Sequence, residues 1–322
     1  MSDTATKNNP TVLEEFLREF RLVWTQIPNK ALFLGLLGLW CALFHFLGNP
    51  TLGYVKSKSM FSWMYFSFST NEDDEHGLII PLIVLALCWW KREQLRPLTA
   101  RVWWPAMTMV LLGLTIHVLG FLIQQTRVSI VGFFVGLYGL IGLTWGWPVM
   151  KAIFFPYFLF GFCVPLGTVA DTLTFPLRLF ATSATDVVAR GLLGIEVVKE
   201  GTTLMDADHR FQYEIVAACS GLRSLTATLA LTTIYGFVMF QAPWKKVVLM
   251  LSGFPLALVY NLCRLLSIII AADAFGQNAG NYVHEKLGLL PYVPVIACLL
   301  ALSFLLREQR APAATNLAAT PA

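Results

Sequence analysis

Long runs of apolar residues recur along most of this chain, and they constrain its fold more than any other feature. Each run is about 17 to 25 residues long, enough for an α-helix to cross the roughly 30 Å hydrocarbon core of a bilayer. Charged residues fill only 13% of the 322 positions, against roughly 25% in soluble domains. The pattern therefore predicts an all-α polytopic membrane protein.

The apolar runs predict about eight transmembrane helices. Lysine and arginine collect on cytosolic flanks, and with the N-terminus inside, thirteen of them lie on the side that holds both termini. Both termini are therefore predicted to be cytosolic. The predicted spans are 31–48, 78–90, 104–123, 128–147, 149–167, 221–241, 247–272 and 289–306.

The regions outside the spans complete the predicted organisation. Residues 1–30 form a cytosolic tail that includes an amphipathic helix, 31–308 form the membrane domain, and 309–322 read as a disordered tail. The largest outer segment, about 168–218, has β-branched and aromatic runs around turn signals. We predict a small extracytoplasmic β-hairpin there, directly before the sixth helix.

Cys219 lies where this outer segment becomes a membrane helix, in the run AACSGLRSL. Ser220 or Gly221 can serve as the N-cap, and free N–H groups with the helix dipole favour a thiolate there. Arg223, one turn further on, adds positive charge. The alternative is that Cys219 is a packing residue and Ser220 a simple cap.

Arg264 lies within the seventh predicted helix, in YNLCRLL, with Asn261 on the same helical face. It precedes Asp273 by nine residues, which predicts a depth of about 13 Å below the outer helix end. A guanidinium held there suits a carbonyl oxygen that gains negative charge. The alternative is a structural ion pair or a snorkelling side chain. Cys263 points about 100° away and is the poorer candidate nucleophile.

His284 lies outside the membrane on the same topology, in NYVHEKLG. An imidazole titrates near neutral pH and can act as general base or acid, although a lone surface histidine often has no function. The predicted topology places Cys219, Arg264 and His284 at one face, although they are 45 and 20 residues apart in sequence. This convergence favours a catalytic site.

The motifs ACSGLRS, NLCR and VHEKLG, in this order, resemble those of the exosortase and archaeosortase family. The upstream stretch EHGLIIPLIVLALCWWKR with His76, and the VVKEGTTL hairpin, are also similar to that family. The family usually has a serine before the HG pair, where this chain has Glu75. The resemblance covers about residues 70–310.

The resemblance implies a cysteine-type transpeptidase or endopeptidase. Cys219 would be the nucleophile that forms a thioester, Arg264 would stabilise the oxyanion, and His284 would shuttle the proton. No cofactor is implied. The supporting residues would be Arg223, Asn261, Ser220 and His76.

The resemblance also implies the partners and the location. Substrates would be exported proteins with a C-terminal signal made of a short motif, a transmembrane helix and a basic cluster. Membrane lipid surrounds the protein, and the acceptor would be lipid-linked or a polysaccharide. The location would be the bacterial cytoplasmic membrane, with the active site extracytoplasmic.

Other functions compete with this interpretation. A transporter or flippase for an anionic substrate would use Arg223 and Arg264 but would leave Cys219 without a task. A non-catalytic scaffold is a third hypothesis. The acidic run at 72–75 with His76 is the one metal-site candidate, but a solvated turn explains it better, because the sequence shows no second cluster of ligands. The net charge of +4 is dispersed, which argues against nucleic-acid binding.

Overall fold

The computed structural model describes residues 11–50, 57–71, 74–206, 211–214 and 222–307. Helices dominate this part of the chain, and one small antiparallel sheet accompanies them. The predicted class of an all-α polytopic membrane protein is confirmed. The chain divides into two compact units, Met1–Gly167 and Thr168–Ala322, which are described in turn.

The first unit is built from eight helices in its described residues. Short 3₁₀ turns at Glu75–Leu78, Trp104–Ala106 and Leu159–Cys163 join or extend them. The helices are α1 Val12–Gln26, α2 Lys30–Leu47, α3 Met60–Thr70, α4 Ile80–Trp90, α5 Arg92–Leu95, α6 Met107–Leu122, α7 Thr126–Trp145 and α8 Trp147–Phe158.

Glycines let α6 and α7 pack backbone against backbone. A methyl group built on Gly113 would lie 2.6 Å from the carbonyl oxygen of Gly132 and 2.7 Å from the amide nitrogen of Gly136. The indole ring of Trp40 fills the space beside Gly136 and donates from Nε1 to the carbonyl oxygen of Phe133 at 3.1 Å. Small residues at such contacts are a common way for membrane helices to associate.

Buried polar side chains in the first unit bond to one another. Nδ1 of His117 lies 3.1 Å from the hydroxyl of Ser129, and the hydroxyl of Thr126 donates to Oδ1 of Asn49 at 2.6 Å. All four residues are less than 9% exposed. Pairing of this kind offsets the free energy that burial of a polar group costs.

Asp74 organises the turn that contains part of the acidic run. Its carboxylate accepts hydrogen bonds from Ser67 Oγ at 3.3 Å, Asn71 Nδ2 at 3.0 Å and the backbone N–H of Leu166 at 3.1 Å. Asp74 is 3% exposed, so these donors take the place of water. Glu72 and Asp73, the other acids before it, lie outside the described residues.

The second unit combines helices with the small sheet. The predicted hairpin is present as β1 and β2, with Val197 opposite Asp206 and Glu200 opposite Thr203, and a third strand, β3, pairs with β2. A long helix, α9, precedes the sheet and was not predicted. The elements are α9 Gly167–Leu192, β1 Val197–Glu200, β2 Thr203–Asp206, β3 Gln212–Glu214, α10 Leu222–Met239, α11 Pro243–Phe275, α12 Gln277–Lys286 and α13 Tyr292–Leu305.

Each of the eight predicted spans overlaps an apolar helix, but their lengths differ. Four are long and apolar enough to cross a membrane: Lys30–Leu47, Trp104–Leu122, Thr126–Trp145 and Pro243–Phe275. The other four are shorter apolar helices: Ile80–Trp90, Trp147–Cys163, Ser224–Met239 and Tyr292–Leu305. The apolar stretch 61–68, which precedes the second span, forms the separate helix α3.

The C-terminal part of α11 packs against the sheet. Leu265, Ile269 and Ala272 of this helix share one buried cluster with Leu204 of β2 and Phe211, the residue before β3. At 33 residues, α11 is about 50 Å long, well beyond the roughly 30 Å of a bilayer core. The depth of about 13 Å predicted for Arg264 was counted from Asp273, near the end of this helix, and it stays a prediction.

Candidate active site

Arg264 of α11 lies close enough to His284 of α12 for its charge to act on the imidazole. Burial of the imidazole lowers the pKa of His284, the positive charge of Arg264 lowers it further, and Glu285 acts in the opposite direction. The imidazole is therefore neutral at neutral pH. A neutral imidazole can accept a proton, as a general base must.

A sharp turn at Gly276 brings these two side chains together. Helix α11 ends at Phe275 and α12 begins at Gln277, so Gly276 alone separates them. Its φ of +85° lies in the region that favours glycine. The chain reverses there, and α12 returns along the end of α11, which brings His284 back towards Arg264.

The face of α12 that carries His284 also meets β3. The hydroxyl of Tyr213 donates to the carbonyl oxygen of Gln277 at 3.0 Å and lies against Gly280, where a side chain would collide with it. The side chain of Gln277 accepts from the backbone N–H of Gln212 at 3.0 Å. Residues 277, 280 and 284 share a helical face. Sequence reasoning missed this contact, because no local pattern links β3 to α12.

Asn261 and Arg264 lie one turn apart on α11, as predicted from their spacing. Asn261 is 3% exposed, and Arg264 is half-buried. Oδ1 of Asn261 and Nε of Arg264 are buried and have no hydrogen-bond partner within the part of the chain that the structure describes. Buried polar atoms are nearly always paired in folded proteins, so this pair calls for an explanation.

The packing of α10 against α11 puts the first turn of α10 at about the level of Asn261. Leu229 lies against Gly253, and Gly236 against Leu249, so α10 and α11 run antiparallel. Asn261 follows Gly253 by eight residues. Because both helices rise 1.5 Å per residue, moving eight residues along each from the Gly253 contact reaches Asn261 on one helix and the start of α10 on the other.

Several predicted site residues remain predictions. Cys219 and Ser220 lie outside the described residues, in the segment 215–221 between β3 and α10. Arg223 is the second residue of α10, and its side chain is likewise not described. His76 lies half-buried in the 3₁₀ turn of the first unit, and Gly77 after it packs against the ring of Phe68.

The described cysteines include the rival nucleophile. Cys263 is half-buried on α11, beside Arg264 in sequence, and its carbonyl oxygen accepts from the hydroxyl of Ser267 at 2.7 Å. All five cysteines in the described residues are free thiols. The other four are Cys41, Cys88, Cys163 and Cys298.

Fold and site together define a polytopic helical membrane protein that carries an arginine and a histidine near each other in its second unit. The comparison with protein families narrows this class. The chain belongs to the transmembrane exosortase family, whose model matches residues 63–302. The resemblance inferred from the motifs is thereby confirmed. No curated protein and no solved structure matches the chain.

Proposed function

We propose that this protein is a cysteine-dependent sorting transpeptidase, with Cys219 as nucleophile, Arg264 as oxyanion stabiliser and His284 as proton shuttle. The observation that carries this proposal is the position of Arg264 near His284, in the unit that also contains Cys219. Family membership supports the reaction class.

The connectivity of the chain supports a position of Cys219 near this pair. Cys219 precedes Leu222, the first residue of α10, by three residues. Three residues span at most about 10 Å. The first turn of α10 lies at about the level of Asn261, and the sheet end of the same segment is tied to α12 through Tyr213. Both flanks of the segment therefore lie next to the elements that carry Arg264 and His284.

The chemistry follows from these positions. Neutral His284 accepts the thiol proton as the sulfur of Cys219 attacks a peptide carbonyl carbon, and Arg264 stabilises the negative oxygen that forms. Collapse breaks the C–N bond, and the imidazolium of His284 protonates the departing amine. An acceptor nucleophile or water then attacks the thioester carbonyl carbon and gives its proton to His284. The C–S bond breaks, the acyl group leaves on the acceptor, and His284 passes this second proton to the thiolate of Cys219.

The length of α11 supports a site near the outer membrane surface. About 20 residues span a bilayer, and counting from the basic pair Lys245–Lys246 this distance ends near Leu265. Arg264 would then lie close to the outer boundary, with the sheet beyond it. The proposal places both termini in the cytosol, in a bacterial cytoplasmic membrane. The substrates would be exported proteins with a C-terminal sorting signal, and the acceptor lipid-linked or a polysaccharide.

Trapping the thioester tests the proposal. Membranes that contain the full chain would be quenched in acid, digested and searched by mass spectrometry for a peptide acylated on Cys219. We expect an adduct that hydroxylamine removes and that Cys219→Ala lacks, and the attached peptide would reveal the cleavage motif. An adduct on Cys263 instead, or processing that continues in Cys219→Ala, would overturn the assignment. A transporter would give no adduct.

A further inference from the structure

The unpaired atoms of Asn261 and Arg264 form a complementary set. Oδ1 of Asn261 is an acceptor without a donor, and Nε of Arg264 is a donor without an acceptor, among the residues that the structure describes. Burial without a partner destabilises the folded chain. Replacement by an apolar side chain would remove this cost, so the asparagine is expected to have a function outside folding.

The spacing of these two helix positions suits one residue of an extended peptide. Positions 261 and 264 lie on one helical face and differ by about 4.5 Å along the axis. A residue in an extended strand presents its N–H and its C=O to the same side, which is why two strands exchange a pair of hydrogen bonds at alternate residues. An extended main chain therefore supplies the donor and the acceptor together.

We propose that Asn261 binds the substrate main chain: its Oδ1 accepts from the N–H of the residue whose carbonyl group is attacked, while Nε of Arg264 donates to that carbonyl oxygen. This inference rests on the proposed function and adds a substrate contact to it. It assigns recognition to the backbone of the substrate, independently of its side chains. Both atoms are closed to solvent, so a peptide reaches them when the side chains that cover them move aside.

A substrate analogue that lacks one backbone N–H group tests the contact with Oδ1 of Asn261. The probes are a synthetic peptide with the cleavage sequence recovered from Cys219, and its analogue in which an α-hydroxy acid replaces the residue that bears the attacked carbonyl. The analogue keeps that carbonyl and loses only the N–H. We expect the full chain to cleave the peptide with a kcat/KM about 10- to 100-fold above that of the analogue, because the buried acceptor is left unpaired by the analogue.

Asn261→Leu removes the acceptor and should remove this preference. We expect it to cleave the peptide as slowly as the wild-type chain cleaves the analogue, with no further loss on the analogue. Asn261→Ala removes the same oxygen with a smaller side chain and should behave alike. Asn278→Leu changes an exposed asparagine on α12 and should keep the wild-type preference. A preference that persists in both Asn261 variants would overturn the proposal.

Thermal unfolding of the same detergent-solubilised proteins separates a binding role from a structural one. Because the unpaired acceptor is lost, Asn261→Leu should unfold at the wild-type temperature or above it. A lower midpoint together with equal losses on both peptides would make Asn261 a structural residue. If Asn261 does not bind the substrate main chain, the wild-type protein still forms the acyl-enzyme on Cys219. If the proposed function is wrong, the wild-type protein forms no such adduct.

Discussion

Two groups of buried polar side chains, one in each unit of this protein, differ in how they are paired. In the first unit, His117 bonds to Ser129 and Thr126 to Asn49, and helices approach closely through glycines. In the second unit, Oδ1 of Asn261 is buried and has no hydrogen-bond partner among the described residues. Nε of Arg92 in the first unit is also buried without a hydrogen-bond partner among the described residues, so the contrast concerns these two groups of side chains and not every buried polar atom of each unit. The group in the first unit bonds within the protein, whereas Asn261 keeps hydrogen-bonding capacity for another molecule.

The free energy that an unpaired buried group costs makes this contrast informative about function. An unpaired buried donor or acceptor costs roughly 1–3 kcal/mol, a large share of the 5–15 kcal/mol that stabilises a typical domain. Local rules are broken most often where a protein performs its function. The predictions below test this division, beginning with the largest expected effect.

Loss of the nucleophile should abolish function in the second unit. Cys219→Ala should stop precursor cleavage altogether, because no other group can form the thioester, while Cys263→Ala should retain cleavage. The measurement is precursor and product on immunoblots at matched protein abundance. Equal loss in the two variants would mean that cysteine replacement harms the unit in general, and would remove the basis for choosing Cys219.

Arg264→Lys should fail almost as badly as Arg264→Ala. Lysine keeps the positive charge but replaces a planar fork of donors with a compact ammonium group. Loss of an oxyanion donor lowers the rate by a factor of about 100 to 1000, or roughly 3 to 4 kcal/mol. Single-turnover cleavage measures this effect. Near wild-type cleavage by Arg264→Lys would show that Arg264 contributes only its positive charge.

Gly113→Ala should destabilise the first unit without changing the rate of the reaction that we propose for the second unit. The added methyl group would lie within 3 Å of the α7 backbone, and such overpacking typically costs about 1–3 kcal/mol. Gly38→Ala is the matched control, because nothing lies within 4 Å of that position. We expect a lower unfolding midpoint for the first variant only, with an unchanged single-turnover rate per folded molecule. A reduced rate at full stability would contradict the division between units.

The smallest expected effect concerns pH. Acylation should slow as pH falls through the pKa of His284, because the protonated imidazole cannot accept the thiol proton. That pKa lies below its usual value of 6.5. Removal of the neighbouring positive charge in Arg264→Gln should move this acid limb to higher pH, and Glu285→Gln, which removes a carboxylate that raises the pKa, should move it lower. Shifts in the same direction would exclude His284 as the titrating group.

Much of the fold could be predicted because its causes are local. The apolar runs identify the helices by composition alone, and the turn signals between β-branched runs identify β1 and β2. Helix α9 could not be predicted, because Pro176 lies within it and threonines lower its helix propensity. Its Ala181 and Ala189 pack into the cluster that contains the sheet, so tertiary contacts stabilise it.

The sequence by itself determined the membrane class, the order of the motifs and the identity of the candidate residues. Tertiary structure alone decided that Arg264 lies near His284, that α12 contacts β3 through Tyr213, and that Oδ1 of Asn261 is buried without a hydrogen-bond partner in the described residues. The physical reason is that the free energy gained by moving apolar surface out of water is a sum over residues, so it can be read from the sequence. Hydrogen bonds and charge interactions instead depend on atomic distances that only the folded chain fixes.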